Sequence, residues 1–463
     1  MKGKGNFGAR DRVILILITV VELVVFLDTT VLNVALPSIG ADLGLGEAGL
    51  GWVTNAYLLA FGGFMLLGGR AADLIGPRRV FAAGIVVFTL ASALAGFAST
   101  AAVLIAARAL QGVGAAVLIP AQLALLTKSF TEAPARNRAF GVWSAMGAAG
   151  AALGTAVGGP LTDLFGWPSI FLINVPVGVL ALAFVRVLPR DRMRDGAARR
   201  GLDVPGAVTG TAGLLILGYA VGALGRHPGR ASALLALGVL LLGGFLALEA
   251  RSPRPLMPLR LFSIRQVSGS AVVNALVGAA HVPTFALLAL YLQNTQGYTA
   301  TESGLAVLPV ALVNIAVSRT LIPFALDRLG AWRVLAGGLG VQALAMAWFA
   351  RLPEHASYAI DVLPGAVLLG LGLPAAFVGV TAPAVAAVDQ ADTGIAAGIV
   401  NTAQRVGSGL GVTALLLLAE STGDHRTGLN VAFGAAAALA AVGVLLTVVL
   451  LRSDVVSRTK AVR

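Results

Sequence analysis

Residues 13–36 read VILILITVVELVVFLDTTVLNVAL, an apolar stretch broken only by the carboxylates Glu22 and Asp28 and preceded by Lys2, Lys4, Arg10 and Arg12. A helix needs roughly 20 predominantly apolar residues to cross about 30 Å of hydrocarbon, so this stretch is long enough to span a bilayer. Comparable stretches follow at 50–67, 80–98, 102–126, 139–161, 170–188, 204–224, 231–249, 267–291, 303–326, 334–350, 360–385, 394–418 and 428–451, fourteen in all. Of the 33 Lys and Arg residues, 26 fall in the two tails and in every second gap between stretches. Only a chain that crosses a bilayer needs such sorting. The positive-inside rule puts those gaps and both termini in the cytoplasm, and an odd number of spans would scramble the pattern. The first stretch contains Asp28 and lacks a small-residue cleavage site, so it reads as an uncleaved span rather than a signal peptide.

The expected fold is therefore an all-α integral membrane protein with 14 transmembrane helices. A chain that is 57% hydrophobic and 12% charged has no room for a separate soluble catalytic domain. The net charge of +12 is dispersed over the cytoplasmic segments, which argues for topology and attraction to anionic membrane lipids and against nucleic acid. Cysteine is absent, which excludes disulfides and thiolate metal sites. The four histidines are scattered, without the clustered His, Asp or Glu that a membrane-embedded transferase wants at a membrane face. No glycine-rich run has the strand–loop–helix context with Lys and Ser or Thr that cradles ATP phosphates, so secondary transport remains, with no cofactor and no metal expected. Lys is rare, 4 against 29 Arg, a bias expected of a GC-rich bacterium and hence of a cytoplasmic (inner) cell membrane.

The chain also repeats itself. GRAADLIGPRR (69–79) follows the second stretch and DRLGAWR (327–333) follows the tenth, an offset of about 254 residues. Six stretches precede the basic run 186–200, six follow the Pro/Arg run 251–265, and two lie between. The expected domains are an N-terminal six-helix bundle at 1–200, two additional central helices at 201–262 and a C-terminal six-helix bundle at 263–463. Parallel repeats of this kind place a substrate site between the halves near the membrane midplane.

Local motifs sharpen this reading. LDTTVLNVALP (27–37), GRAADLIGPRR (69–79), RALQGVGAA (108–116), GAALGTAVGG (150–159), Trp167 with FLINVPVG (171–178), and NTAQRVG (401–407) together resemble the major facilitator superfamily, and within it the fourteen-span drug:proton antiporters. The resemblance covers essentially the whole chain. It departs from the family pattern at Leu74 and Pro77, where basic residues are usual, and at Thr155, which stands where the antiporter motif has proline. It implies that Gly69, Asp73, Gly76, Arg78 and Arg79, with Asp327 and Arg328 in the second copy, gate the cytoplasmic side, and that the stripe Gly150, Gly154 and Gly158 seals the two halves together. Asp73 is the expected cap of a neighbouring helix N-terminus or partner of Arg78 or Arg79.

Charges kept inside a bilayer carry a functional hypothesis by default. Glu22 and Asp28 lie about 9 Å apart along the first helix, facing directions about 120° apart. Asp28 and Arg108 lie at matching depths on helices running in opposite directions, so the pair is the candidate proton coupler, with Glu22 the second candidate acid. A purely structural ion pair is the competing reading. Arg405, with Asn401 one turn away, presents donors to an anionic or carbonyl-bearing substrate. His281, Tyr57, Asn33 and Gln111 complete the substrate-binding candidates, while Arg319 is expected to snorkel. Trp52, Trp143, Tyr219, Phe285 and Tyr291 are further candidates to line the path. A stripe of glycines every four residues lets another helix come close, so Leu at Gly154 is expected to block it and Ala to be tolerated.

The expected function is proton-coupled efflux of small amphipathic drug-like compounds by a monomer, with dedicated export of one metabolite or siderophore as the alternative. Topology is testable directly. A tag at either terminus or within 190–200 should react with impermeant reagents only from the cytoplasm, and one near Gly423 only from outside; termini on opposite faces would overturn the fourteen-span reading.

Overall fold

A computed structural model describes residues 8–191, 204–223, 228–252, 255, 257–389, 392–422 and 424–452, and no strand occurs among them. The basic run 192–200, the domain boundary expected at 200/201, the tails and Gly423 lie outside the described residues. The long helices are α1 (Ala9–Leu43), α2 (Glu47–Ile75), α3 (Pro77–Gly96), α4 (Ala101–Ser129) and α5 (Ala133–Phe165). The short α6 (Ser169–Leu172) leads into α7 (Asn174–Phe184), followed by α8 (Val204–Ala223) and α9 (Pro228–Arg251). The remainder are α10 (Arg265–Leu290), α11 (Ala300–Leu329), α12 (Ala331–Phe349), α13 (Leu363–Ala386), α14 (Thr393–Glu420) and α15 (His425–Leu446). Ten helices are long and apolar enough, among the described residues, to cross a membrane. The stretches expected at 50–67, 204–224, 334–350 and 394–418 fall on α2, α8, α12 and α14.

Helix pairing repeats along the chain. In the first part α1 packs on α5, α2 on α4, and α3 on α4; in the second, α10 packs on α14, α11 on α13, and α12 on α13. Across the two parts α2 meets α14 and α5 meets α11. The α8/α9 pair leans on this arrangement through α8, which touches both α2 and α14. Bonds between the two parts gather at the end away from the arginine-rich loops. There Gln293 donates to the Val34 carbonyl at 2.8 Å, the Thr301 amide donates to Asp163 at 2.8 Å, and Asn55 donates to Thr413.

The two copies of the loop motif make the same tight reversal. Gly76 (φ 104°) and Gly330 (φ 78°) both hold backbone angles that side chains with a Cβ rarely adopt, which lets α3 and α12 start at once. The carboxylate found at the α3 N-terminus, among the described side chains, is Asp191. Asp191 accepts from the Arg78 and Arg79 amides at 3.2 and 3.1 Å and lies 3.7 Å from Lys128. It thereby satisfies donors that a helix start leaves open. The side chain of Asp73 lies outside the described residues. Asp327 and Arg328 are exposed, with Arg328 stacked 4.2 Å from the Phe324 ring.

The glycine stripe of α5 does not face the other half. Gly150, Gly154 and Gly158 lie against Leu23, Leu27 and Val31 of α1, within the same half, and a Cβ on Gly154 would fall 2.6 Å from the Leu27 carbonyl oxygen. The surface of α5 that meets α11 is offset from the stripe. Thr155 and Gly159 touch Gly304 and Thr301 there. Gly407 and Gly411 make the equivalent close approach of α14 to Ala275 and Ala279 on α10. Alanine is therefore not harmless on the stripe, because the obstacle is backbone and cannot rotate away. Gly150→Ala and Gly154→Ala should each lower stability, on the order of the 1–3 kcal/mol of core overpacking. Gly141→Ala, in open space, should not. Thermal unfolding of the three purified variants in detergent measures the contrast.

Candidate functional site

The expected acid and base meet. Arg108 donates to Asp28 at 2.6 Å, with exposures of 1% and 0%. Three more elements complete the cluster. Gln111, one turn along α4 from Arg108, donates to Asp28 at 3.0 Å and to Ser92 of α3 at 2.8 Å, and its carbonyl oxygen accepts from Arg108 at 2.9 Å. Asn174, the first residue of α7, donates to Asp28 at 2.7 Å. Arg108 also donates to the Val53 carbonyl of α2 at 3.2 Å and lies 4.4 Å from the centre of the Tyr57 ring.

Charge-assisted donors to one carboxylate make a strong, specific knot, and a buried ion pair is tolerable only when its remaining donors and acceptors are met. The knot is possible because Gly112 and Gly114 follow Gln111 on α4. A Cβ on Gly112 would strike the Tyr57 carbonyl of α2, and one on Gly114 would lie 2.8 Å from the Phe88 nitrogen of α3. Close helix contact thus brings short side chains within reach. Gln111 was expected to face substrate; it is instead fully buried inside this cluster. Ser92 and Asn174 went unpredicted, although an asparagine inside an apolar span needs a partner and Asn174 lies within one of the quoted motifs.

A second set of polar groups lies toward the other half. Glu22 is 1% exposed, and its Oε2 has no hydrogen-bond partner among the described residues. Arg405 of α14 rests on the Phe61 ring of α2 at 4.4 Å. Phe61 in turn meets Tyr57 edge-on at 5.7 Å, so an aromatic pair on α2 stands between the two arginines. Asn401 donates to the Ala397 carbonyl of its own helix at 3.0 Å, which uses one of the two N–H groups of its side-chain amide. Asn33 lines a small crevice between the halves, together with Thr30, Thr155, Phe285 and Ser303. His281, 9% exposed, packs edge-on against Phe285 at 5.0 Å. Gly69 of the loop motif sits 3.7 Å, measured from an added Cβ, from Pro120 of α4. Arg319 is exposed, as a snorkelling residue would be.

Comparison with known proteins follows the same lines. The family model of the Major Facilitator Superfamily matches residues 18–412. The chain is 39% identical over 419 residues to the cephamycin export protein CmcT of Amycolatopsis lactamdurans, covering 89% of this chain and 85% of that one. It is 42% identical over 466 residues to the puromycin resistance protein pur8 of Streptomyces alboniger, covering 96% and 92%. Among solved structures, the POT family transporter PepTSo superposes with a TM-score of 0.71 at 16% identity, covering 95% and 98%, a likeness of fold alone.

The cluster predicts a rescue. Arg108→Ala strands the Asp28 carboxylate, and breaking a buried pair by removing one partner costs about 3–5 kcal/mol. Folded protein, followed by size-exclusion profile and melting temperature, should fall sharply in Arg108→Ala and recover in part when Asp28→Asn is added.

Proposed function

Because the chain belongs to the major facilitator superfamily, and is a multi-pass membrane transporter rather than an enzyme, we propose that it expels small amphipathic organic compounds in exchange for protons. In this reading both termini are cytoplasmic, the host is bacterial, and the membrane is the cytoplasmic one. Fourteen spans divide as six, two and six at the boundaries given above. The two halves rock about a central site, and the bonds gathered at the end away from the arginine-rich loops correspond to an inward-facing arrangement. Efflux as the direction is supported by the relatives, whose names describe export of and resistance to antibiotics.

The observation that carries proton coupling is the Asp28–Arg108 cluster. A proton on Asp28 removes the charge that holds Arg108, and frees Arg108 to lean elsewhere or shift the Tyr57 ring beneath it. Proton occupancy on one half is thereby tied to the arrangement of α1, α2, α4 and α7. One charge crossing 100 mV supplies about 2.3 kcal/mol, which sustains a gradient of roughly 50-fold for a neutral compound. A dedicated exporter of one endogenous metabolite is the second reading, favoured by the relative named for cephamycin export. A narrow response across a drug panel would select it.

Proteoliposomes with an imposed pH gradient test the coupling. Asp28→Asn keeps size and hydrogen bonding but cannot cycle a proton, so gradient-driven export should fall to background while drug binding survives. If Asp28→Asn pumps and releases protons on drug addition while Glu22→Gln does neither, the coupling acid is Glu22.

A further inference from the structure

Glu22 and Arg405 come from opposite halves, both near mid-height of their helices, α1 and α14. Neither charge is matched by an ion pair among the described residues. Glu22 is 1% exposed and leaves Oε2 unpartnered, while Arg405 is half-buried and rests its guanidinium on the Phe61 face, with no hydrogen bond or ion pair to it among the described residues. The two act on each other electrostatically yet make no ion pair. Evolution of a merely structural pair would close the gap, as it is closed at Asp28 and Arg108. Space is also kept beside the carboxylate. A Cβ on Gly147 of α5 would be 3.5 Å from Glu22 Oε1 and 3.4 Å from the Phe26 ring, so glycine there leaves open the volume that any larger side chain would take. Phe26, Phe61 and Tyr57 supply apolar faces around the two charges.

From this geometry we propose that Glu22 and Arg405 are the two poles of one substrate site, which takes amphipathic zwitterions: an ammonium at Glu22, a carboxylate or comparable anion at Arg405, and an apolar body between. The inference rests on the central-cavity transport reading above. An isolated charge buried in a low-dielectric site is costly, and a ligand that carries the complementary charge removes that cost at each pole. A ligand with only one charge satisfies one pole and leaves the other exposed to the same penalty. Because the poles sit on different halves, a zwitterion also bridges them.

The test is equilibrium binding to purified protein in lipid nanodiscs, without any gradient, at slightly acidic pH. Three related compounds serve as probes: ampicillin, which carries an ammonium and a carboxylate; benzylpenicillin, which carries the carboxylate alone; and pivampicillin, which carries the ammonium alone. The wild type should bind ampicillin about tenfold or more tighter than either single-charge probe, a comparison that needs no variant. Glu22→Gln should reduce ampicillin to the level of benzylpenicillin and leave benzylpenicillin unchanged. Arg405→Gln should do the converse, reducing ampicillin to the level of pivampicillin. Equal affinity for all three probes in the wild type, absence of binding to any of them, or variants that shift all three equally would overturn the proposal. Export and proton release are measured separately. Zwitterion preference without gradient-driven export would sink the antiport reading and leave this site standing, and export of other drugs without zwitterion preference would do the reverse.

Discussion

A carboxylate shut away inside a membrane helix sets the terms for much of this structure. At a helix centre a charge costs about 2.5–3.5 kcal/mol even by insertion scales, and lipid has nothing to offer it. Arg108 cancels the charge of Asp28 but brings five N–H donors of its own. Their partners are a backbone carbonyl on α2, an amide on α4 and the aromatic face of Tyr57. The amides of Gln111 and Asn174 then fill the second carboxylate oxygen. Five helices, α1, α2, α3, α4 and α7, meet at one point around the Asp28 carboxylate, both of whose oxygens are partnered.

Such a knot works only at short range, and Gly112 and Gly114 beside Arg108 and Gln111 on α4 provide it. The same logic recurs where no charge is involved. On α5 and α14 glycine lets the helix rest directly on the backbone of α1 and α10, a contact that lipid tails cannot compete with because it gains dispersion without losing side-chain freedom. Small residues also serve the junction between the halves, where Gly159 and Gly304 bring α5 and α11 as close together.

Much of this was legible in the chain. Apolar length and arginine placement pointed to the helices, and opposing depth on antiparallel helices was enough to bring Asp28 and Arg108 together. Partner choice was less legible. The stripe at Gly150 announces a close neighbour without naming it, since periodicity gives a helix face but not what lies across from it, and the neighbour is α1. Asp191 reaches the α3 N-terminus because the chain returns there after α7, a contact 113 residues distant that no local motif encodes. Gln111 could be assigned to substrate or to the ion pair from sequence alone, and only the count of unmet donors on Arg108 decides for the pair. Glu22 and Arg405 were recognisable as misplaced charges, but the unpartnered Oε2 of Glu22 and the seat of Arg405 on Phe61 are three-dimensional facts.

The helix pair α8 and α9 breaks the regularity of the rest. Its partner α8 lies along both α2 and α14, with Trp52 against Tyr219 at 5.8 Å and Gly218 beside Leu59. A protein whose internal contacts are nearly two-fold is thus wrapped in a perimeter that is not. One flank of the junction between halves is covered by α8, while the opposite flank, at α5 and α11, leaves Leu153, Leu305 and Leu312 exposed. Lipid composition and bilayer thickness therefore press on the two flanks unequally, and the protein has a front and a back with respect to its own solvent.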